Sequence, residues 1–555
     1  MKRIWLNNYE KEVPHSLDYP DIPLHAILSE SAKRFPEKTS VIFYKTLITY
    51  SELNDLTNRF ANALNKLGIK SGDRVAIMLP NLPQAVISYY GTLKMGAIAV
   101  QTNPLYVERE LEEQLADSGA ETIIALDIFY PRIENIKKRT PLKNIVLTGV
   151  QDYLPLLLKL LYPIKARKEG QWIKVKRIPP IYDFVGILRE SDVNFSEIMV
   201  EPDDIALLQY TGGTTGIPKA VMLTHRNLVT NVYQCRRWMW DLKEGEEKIL
   251  SVIPFFHVYG MTVCMNLSIL LGSAMILLPK FKTIDVLKAI DRYRPSAFPG
   301  VQAMYVAINN YPNVDSFNIS SIRACISGAG PLALEVQEEF ERLTGGRVVE
   351  GYGLTEASPV THANPIYGKR KKGSIGIPFP DTDARVIDMK DGEKVLPVGE
   401  VGELQVRGTQ VMKGYWNRQD ETDAVLKDGW LSTGDMAKMD EEGYFYIVDR
   451  KKDMIKTVGE NVYPREIEEV LYRYPKIKEA VIVGIPEKFS SEIIKAYIVL
   501  KEGESATENE IIEFCRENLA KFKVPKMIEF REELPKTMIG KVLRRKLLEE
   551  EMKNQ

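Results

Sequence analysis

The chain has 555 residues, 45% of them hydrophobic, and a formal net charge of −1. That is ample apolar material for a large core and too much chain for one ordinary domain. The near-neutral balance supplies no global basic field, so no nucleic-acid partner is expected.

The N-terminal stretch MKRIWLNNYEKEV has no apolar run long enough for a signal peptide. Cys235, Cys264, Cys325 and Cys515 stand far apart, and neither CxxC, HExxH nor a histidine cluster occurs. A disulfide framework or a zinc site is therefore not expected. The reading is a cytoplasmic protein with reduced thiols.

From 73 to 150 short apolar runs alternate with helical ones. DRVAIML, AIAVQ, ETIIAL and NIVLTG read as strands, and LPQAVISYYGTLKMG as a helix. Such alternation predicts parallel βαβ units. The next stretch, 153–177, departs from it. Six leucines and a tryptophan mix there with seven Lys/Arg and one acid, Glu169. Pro155 and Pro163 predict a helix of no more than roughly two turns. Two readings stand: an exposed insertion with solvated charges, or a patch lying on an anionic bilayer, peripherally, at the inner face of the cell membrane.

The α/β pattern resumes after 204 with IALLQY, KILSVI, SAMILL, SAFPGV, RACISG and RVVEGYG. Between Pro254 and Pro279 there is no Asp, Glu, Lys or Arg. That length reaches a membrane span, but its Gly, Ser, Asn and His favour a buried helix–strand pair. From about 380 the texture changes: ARVID, GELQVRG and FYIVDR predict antiparallel strands with DG and EEG turns. After Arg450 a charged stretch leads into a compact α+β set of about 100 residues, a size that folds alone. The expected division is 1–449 and 450–555.

Several segments carry chemistry. The loop YTGGTTGIPK holds Thr211, Gly212, Gly213, Thr214, Thr215, Gly216 and Lys219. Bare backbone, hydroxyls and one amine suit a polyphosphate. It is not a Walker A loop, because after four residues beyond Gly212 comes Ile217 and not glycine. Further candidates are PFFHVYG with His257, SGAGPL with Gly328, GYGLTEASP, WLSTGD ending in Asp435, and PKTMIGKVLR with Lys541. Taken singly, each also reads as core, cap or solvated surface.

In this order and spacing the segments resemble the acyl-adenylate-forming enzymes over nearly the whole chain. Within them, QYTGGTTG, PFFHVYG, VMKGYWN and NVYPREIEE together are similar to bacterial-type long-chain fatty-acid–CoA ligases. The resemblance implies an α/β fold: a large domain of parallel βαβ sheets with a distorted antiparallel barrel, and a small mobile α+β lid. It implies ATP, CoA and a fatty acid as substrates, with Mg²⁺ as cofactor. Thr211–Lys219 would cradle phosphates, with Gly328 also at the nucleotide. Gly351, Tyr352 and Gly353 would hold adenine. Asp435 would accept from the ribose hydroxyls, with Arg450 nearby. Thr355 would lie beside the phosphates and Glu356 would bind the metal. Lys541 would bridge carboxylate and α-phosphate, and His257 completes the catalytic set. Lys452 would be the hinge that swings Lys541 away and brings Lys456, Gly459 and Asn461 to a CoA channel. His257, Tyr259 and Met261 would line the acyl path. The resemblance implies that Met261 stands where some long-chain relatives gate the acyl tunnel with a tryptophan.

The substrate is less legible. The aspartate that pairs an α-amine in amino-acid-activating relatives is absent near Phe256–His257. Medium-chain, branched or aryl acids remain alternatives, as does a catalytically silent acyl or nucleotide binder at a membrane. The oligomeric state is open, a homodimer included.

Overall fold

The computed structural model describes residues 3–554, except 171, 197, 212–217, 390, 452, 458–460, 487–491 and 537–541. An eight-stranded sheet forms the first layer. Its order is Gly414–Tyr415, Lys219–Thr224, Ile205–Thr211, Ile98–Gln101, Arg74–Met78, Thr122–Leu126, Asn144–Thr148, Ile181–Asp183. The six strands from Ile205–Thr211 onward run parallel. Val75, Ala99, Leu207 and Ile124 are wholly buried, as continuous apolar strands covered on both faces must be. Helix Pro83–Lys94 buries all its side chains between this layer and helix Tyr50–Lys66, and starts on proline, where no N–H is needed.

The second layer joins Lys248–Ser251, Ala274–Leu277, Thr39–Phe43 and Thr46–Thr49. Single bridges through Ala297 link it to Ala324–Ser327, Arg347–Gly353, Val360–Ala363 and Ile377–Pro378. The strand expected at SAFPGV is reduced to isolated bridges at Ala297 and Gly300. Pro295 precedes it and Pro299 lies within it, and neither has an N–H to give a ladder.

The uncharged run after Pro254 is a helix–strand pair, as expected. A turn at Val258–Gly260 leads through a π-helix, Met261–Asn266, into Leu267–Leu271 and then strand Ala274–Leu277. Among the described residues no helix is long and apolar enough to cross a membrane.

Asp383–Ile387, Gly402–Arg407, Leu426–Lys427, Trp430–Met439 and Phe445–Arg450 form the antiparallel sheet. Beyond it stands a smaller α+β unit. Ile477–Pro486 and Glu492–Leu500 are antiparallel, and Met527–Phe530 adds in parallel. Its core, with Ile467, Leu471, Ile482, Ile498 and Ile511, is separate from that of the large unit.

One expectation fails. The leucine-rich segment forms a helix of 13 residues, Leu156–Lys168, with Pro163 inside it. Pro155 sits just before the first turn, where its missing N–H costs nothing. Pro163 removes a bond to the Lys159 carbonyl, and Lys159 is exposed, so water can serve that oxygen.

Candidate active site

Strands Ile205–Thr211 and Lys219–Thr224 are antiparallel, with Thr211 opposite Lys219. The glycine–threonine stretch joins their ends. The next motif residues, THRN, fasten this hairpin. Thr224 Oγ1 accepts the Asn227 N–H at 3.1 Å, and Asn227 Oδ1 accepts the Thr224 N–H at 2.9 Å. This reciprocal cap stabilises helix His225–Trp238 by about 1 kcal/mol. The Asn227 amide also donates to the carbonyls of Thr409 and Val411, at 2.7 and 2.9 Å. It thereby ties the VMKGYWN strand beside the loop strand, where Tyr415 pairs with Val221.

That register builds the first cluster. The Lys219 ammonium pairs with Glu421 and lies 5.2 Å from the centre of the Tyr415 ring. The Tyr415 hydroxyl donates to Glu356 Oε1 at 2.9 Å. Burial holds the Glu356 carboxyl above its usual range, while its own N–H and Tyr415 pull the other way. Thr355 and Glu356 start a single 3-10 turn, Thr355–Ala357.

The second cluster lies on the antiparallel sheet. Asp435 and Arg450 are opposite residues on neighbouring strands. The Tyr352 hydroxyl donates to Asp435 Oδ2 at 2.5 Å, and Arg450 Nε meets Asp435 Oδ1 at 3.2 Å. Thr433 Oγ1 accepts the Asp435 N–H at 3.1 Å and donates to the Leu404 carbonyl at 2.8 Å. Burial opposes the charge of Arg450, but Asp435, Tyr352 and Glu356 together raise its pKa. The two clusters therefore share one electrostatic environment. Gly351 and Gly353 bracket Tyr352. A side chain at Gly353 would stand 2.1 Å from the Pro359 carbonyl, so the turn admits none.

The imidazole site is held from two sides. Gln209 Nε2 donates to the Phe256 carbonyl at 2.9 Å. Asn81 accepts the Phe255 N–H at 2.8 Å and donates to the Ile253 carbonyl at 2.9 Å. Burial lowers His257 to about 4, so the ring is neutral near pH 7. Tyr259 donates to the Ile326 carbonyl at 2.6 Å. A Cβ at Gly328 would approach its ring to 3.1 Å, which accounts for glycine there. Met261 is wholly buried at the start of the π-helix.

Gly212, Gly213, Thr214, Thr215 and Gly216 lie outside the described residues, as do Lys452, Gly459 and Lys541. Lys456 and Asn461 pair by backbone in a two-stranded ribbon. A bridge between Lys536 and Val542 closes the stretch that contains Lys541. Two residues went unassigned in the sequence. Tyr415 was visible inside VMKGYWN, though only as a family marker. Arg544 lies three residues after Lys541, and it binds Glu468 at 2.6 and 2.7 Å and Asp453 at 3.1 Å. It links the segment after Lys541 to Asp453, next to the expected hinge residue Lys452, a long-range pairing that no local pattern announces.

Among the described residues no group of three or more His, Cys, Asp or Glu side chains could hold a metal ion. Glu356 is a single, half-buried carboxylate whose side chain accepts from one neutral side-chain donor, the Tyr415 hydroxyl. That fits Mg²⁺, which keeps waters and takes phosphate oxygens beside one or two carboxylates, and does not fit an all-protein cage.

Comparison with known proteins agrees with this geometry. Residues 28–416 match the model of the AMP-binding enzyme family, and 466–541 match the AMP-binding enzyme C-terminal domain. The chain is 50% identical to a long-chain-fatty-acid–CoA ligase of Bacillus subtilis (strain 168), covering 99% of this chain and 98% of that one. It is 40% identical to a protein of the same name from Yersinia pestis, over 100% of this chain and 99% of the other. Among solved structures, ATP-bound MatB from Rhodopseudomonas palustris superposes with a TM-score of 0.85 at 28% identity, covering 96% and 99% of the two chains. With both family models matched in order along a fold of this kind, the chain belongs to the AMP-binding enzyme family.

Proposed function

We propose that the protein is an AMP-forming long-chain fatty-acid–CoA ligase. A fatty-acid carboxylate oxygen bonds to the α-phosphorus of ATP, the bond to the β-phosphate bridging oxygen breaks, and pyrophosphate leaves. The CoA sulfur then bonds to the acyl carbonyl carbon, its proton is lost, and AMP departs as the acyl–oxygen bond breaks. No enzyme nucleophile is needed, in keeping with the high, burial-raised pKa values of Cys235, Cys264 and Cys325.

The first step must bring two anions together, so fixed cations and donors carry it. Thr211, the glycine–threonine stretch and Lys219 bind the β- and γ-phosphates. Thr355 lies beside them. Tyr352 packs on adenine between Gly351 and Gly353, Gly328 borders the nucleotide, and Asp435 with Arg450 takes the ribose. Lys541 neutralises the charge that develops between carboxylate and α-phosphate. His257, neutral, borders the carboxylate, and Tyr259 and Met261 the chain. Bound Mg²⁺, held by Glu356, supplies charge neutralisation at the phosphates. The domain division lies at 449–450, supported by the separate cores on either side. Rotation at Lys452 exchanges Lys541 for the face with Lys456, Gly459 and Asn461. A cytoplasmic place with peripheral membrane contact belongs to the same reading.

The observation that carries it is the single constellation Lys219–Tyr415–Glu356 with Tyr352–Asp435–Arg450, in a chain alike over its full length to the ligases named above. Pyrophosphate release should be measured with palmitate, octanoate and benzoate, each with and without CoA. Palmitate should be the best substrate, with AMP formation requiring CoA. A preference for benzoate or octanoate would replace the long-chain assignment, and no release with any acid would overturn the ligase reading.

A further inference from the structure

We infer that helix Leu156–Lys168 is a docking surface for an anionic lipid bilayer. The helix buries only Ala166. Leu156 is 75% exposed, Leu157 69%, Leu160 67%, Leu161 51% and Ile164 67%. At about 100° per residue these five side chains occupy one arc of about 140°, across from Ala166. Scattered exposed leucines are ordinary, but a contiguous apolar arc is not. Leu47, 59% exposed, adds to it: its neighbour Thr46 donates to the Tyr153 carbonyl at 2.7 Å, just before the helix.

The segment is fastened at its far end too. Arg177 pairs with Asp127, and Asp183 lies 3.7 Å away. Arg177 is therefore an anchor and not part of a basic patch. Arg167 sits over the Trp172 ring at 5.5 Å, and Lys165 is 3.9 Å from Glu169. Lys159, Lys168, Lys174 and Lys176 are exposed. At the same spacing Arg167 and Lys168 fall on this arc one turn further on, so the apolar face of 156–164 ends in cations, and Lys174 and Lys176 follow exposed in the chain. An apolar face that ends in cations is complementary to acyl chains under anionic headgroups. That charge complementarity favours a bilayer over a second copy of this chain, which carries the same cations. At 13 residues the helix is about 20 Å long, short of the ~30 Å hydrocarbon core, so it lies on the membrane and does not cross it.

The test is sedimentation of the full chain with phosphatidylglycerol or phosphatidylcholine vesicles. The wild type should pellet with phosphatidylglycerol at low salt, be released at high salt, and pellet poorly with phosphatidylcholine. The variant Leu157→Ser, Leu160→Ser, Leu161→Ser, Ile164→Ser should bind at least about tenfold more weakly, since each removes apolar contact with the bilayer. Replacing Lys159, Lys168, Lys174 and Lys176 by Gln should weaken the salt dependence, Lys165 and Arg167 remaining. All changes lie on exposed positions, and unchanged melting with unchanged turnover of octanoate shows that the fold survives. A wild type that stays in solution at low salt overturns the proposal. So does equal binding by the serine variant. Sedimentation velocity gives a third overturning result: a homodimer that the serine changes dissolve, without lipid binding, makes the arc a subunit interface.

Discussion

The Tyr352 hydroxyl donates to the Asp435 carboxylate at 2.5 Å, while the other oxygen faces Arg450 at 3.2 Å. The carboxylate is thus held by neighbours from two different sheets before any ligand arrives, and its hydrogen-bonding direction is fixed.

Asp435→Asn keeps the shape and removes the charge. Arg450 loses its counter-charge, and the Tyr352 hydroxyl exchanges a charged acceptor for a neutral one. A hydrogen bond to a charged group contributes about 1.5–3 kcal/mol. AMP affinity, read by calorimetry, should fall at least about tenfold, which is about 1.4 kcal/mol. Wild-type affinity in this variant would remove Asp435 from the nucleotide.

Tyr415→Phe tests the other cluster. The hydroxyl stabilises the ionised form of Glu356, and burial opposes it. Without the donor the carboxyl pKa rises further. If ionised Glu356 is required, the acid limb of the pH–rate profile for pyrophosphate release should move to higher pH. An unmoved limb with a normal magnesium titration would detach Glu356 from the metal.

The parallel layers were legible from periodicity, because strands such as IALLQY and SAMILL are buried on both faces and leave no polar alternation. The candidate site was legible where one short segment holds the proposed groups, as in GYGLTE and WLSTGD, whose Tyr352 and Asp435 the fold brings together. It was not legible where the chemistry depends on pairing across the chain. Tyr415 reaches Glu356, 59 positions away, and Arg544 reaches Asp453, 91 positions away. Neither spacing leaves a local trace. Pro163 misled for a different reason: in an exposed helix water replaces the lost backbone partner, and proline then ends nothing.

Lys541→Ala separates the half-reactions. Its charge is proposed to act only where carboxylate and α-phosphate meet. Adenylation should drop by about 10²–10³, the loss that follows removal of one stabilising donor. Pre-formed acyl-AMP supplied with CoA should restore most turnover. Equal losses in both steps would refute the exchange of faces.

Lys452→Pro addresses the pivot. Proline fixes φ near −65° and removes an N–H, so backbone rotation there is restricted. Pyrophosphate release should persist while acyl-CoA formation falls. Normal acyl-CoA formation in this variant would place the pivot elsewhere.

The last prediction concerns acid stability. His362 is wholly buried, its Nε2 has no hydrogen-bond partner among the described residues, and burial lowers it to about 3 from 6.5. The unfolded chain therefore binds a proton, between those values, that the folded chain refuses. Stability is full above 6.5 and is lost as pH falls towards 3. Linkage gives a loss of about 2 kcal/mol at pH 5 from this group alone. His25 and His225, lowered to about 4 and about 3, act in the same direction. Glu350 and Asp449 oppose it, because burial raises them to about 7 and about 6 and the folded state then holds their protons as pH falls. All 6 tryptophans precede residue 449, so their fluorescence follows the large unit. Urea unfolding of wild type and His362→Gln should be compared at pH 7 and pH 5. The loss on acidification should be about 2 kcal/mol smaller in the variant. An identical loss in both proteins would mean that His362 takes up no proton on unfolding, and the buried neutral imidazole would have to be abandoned.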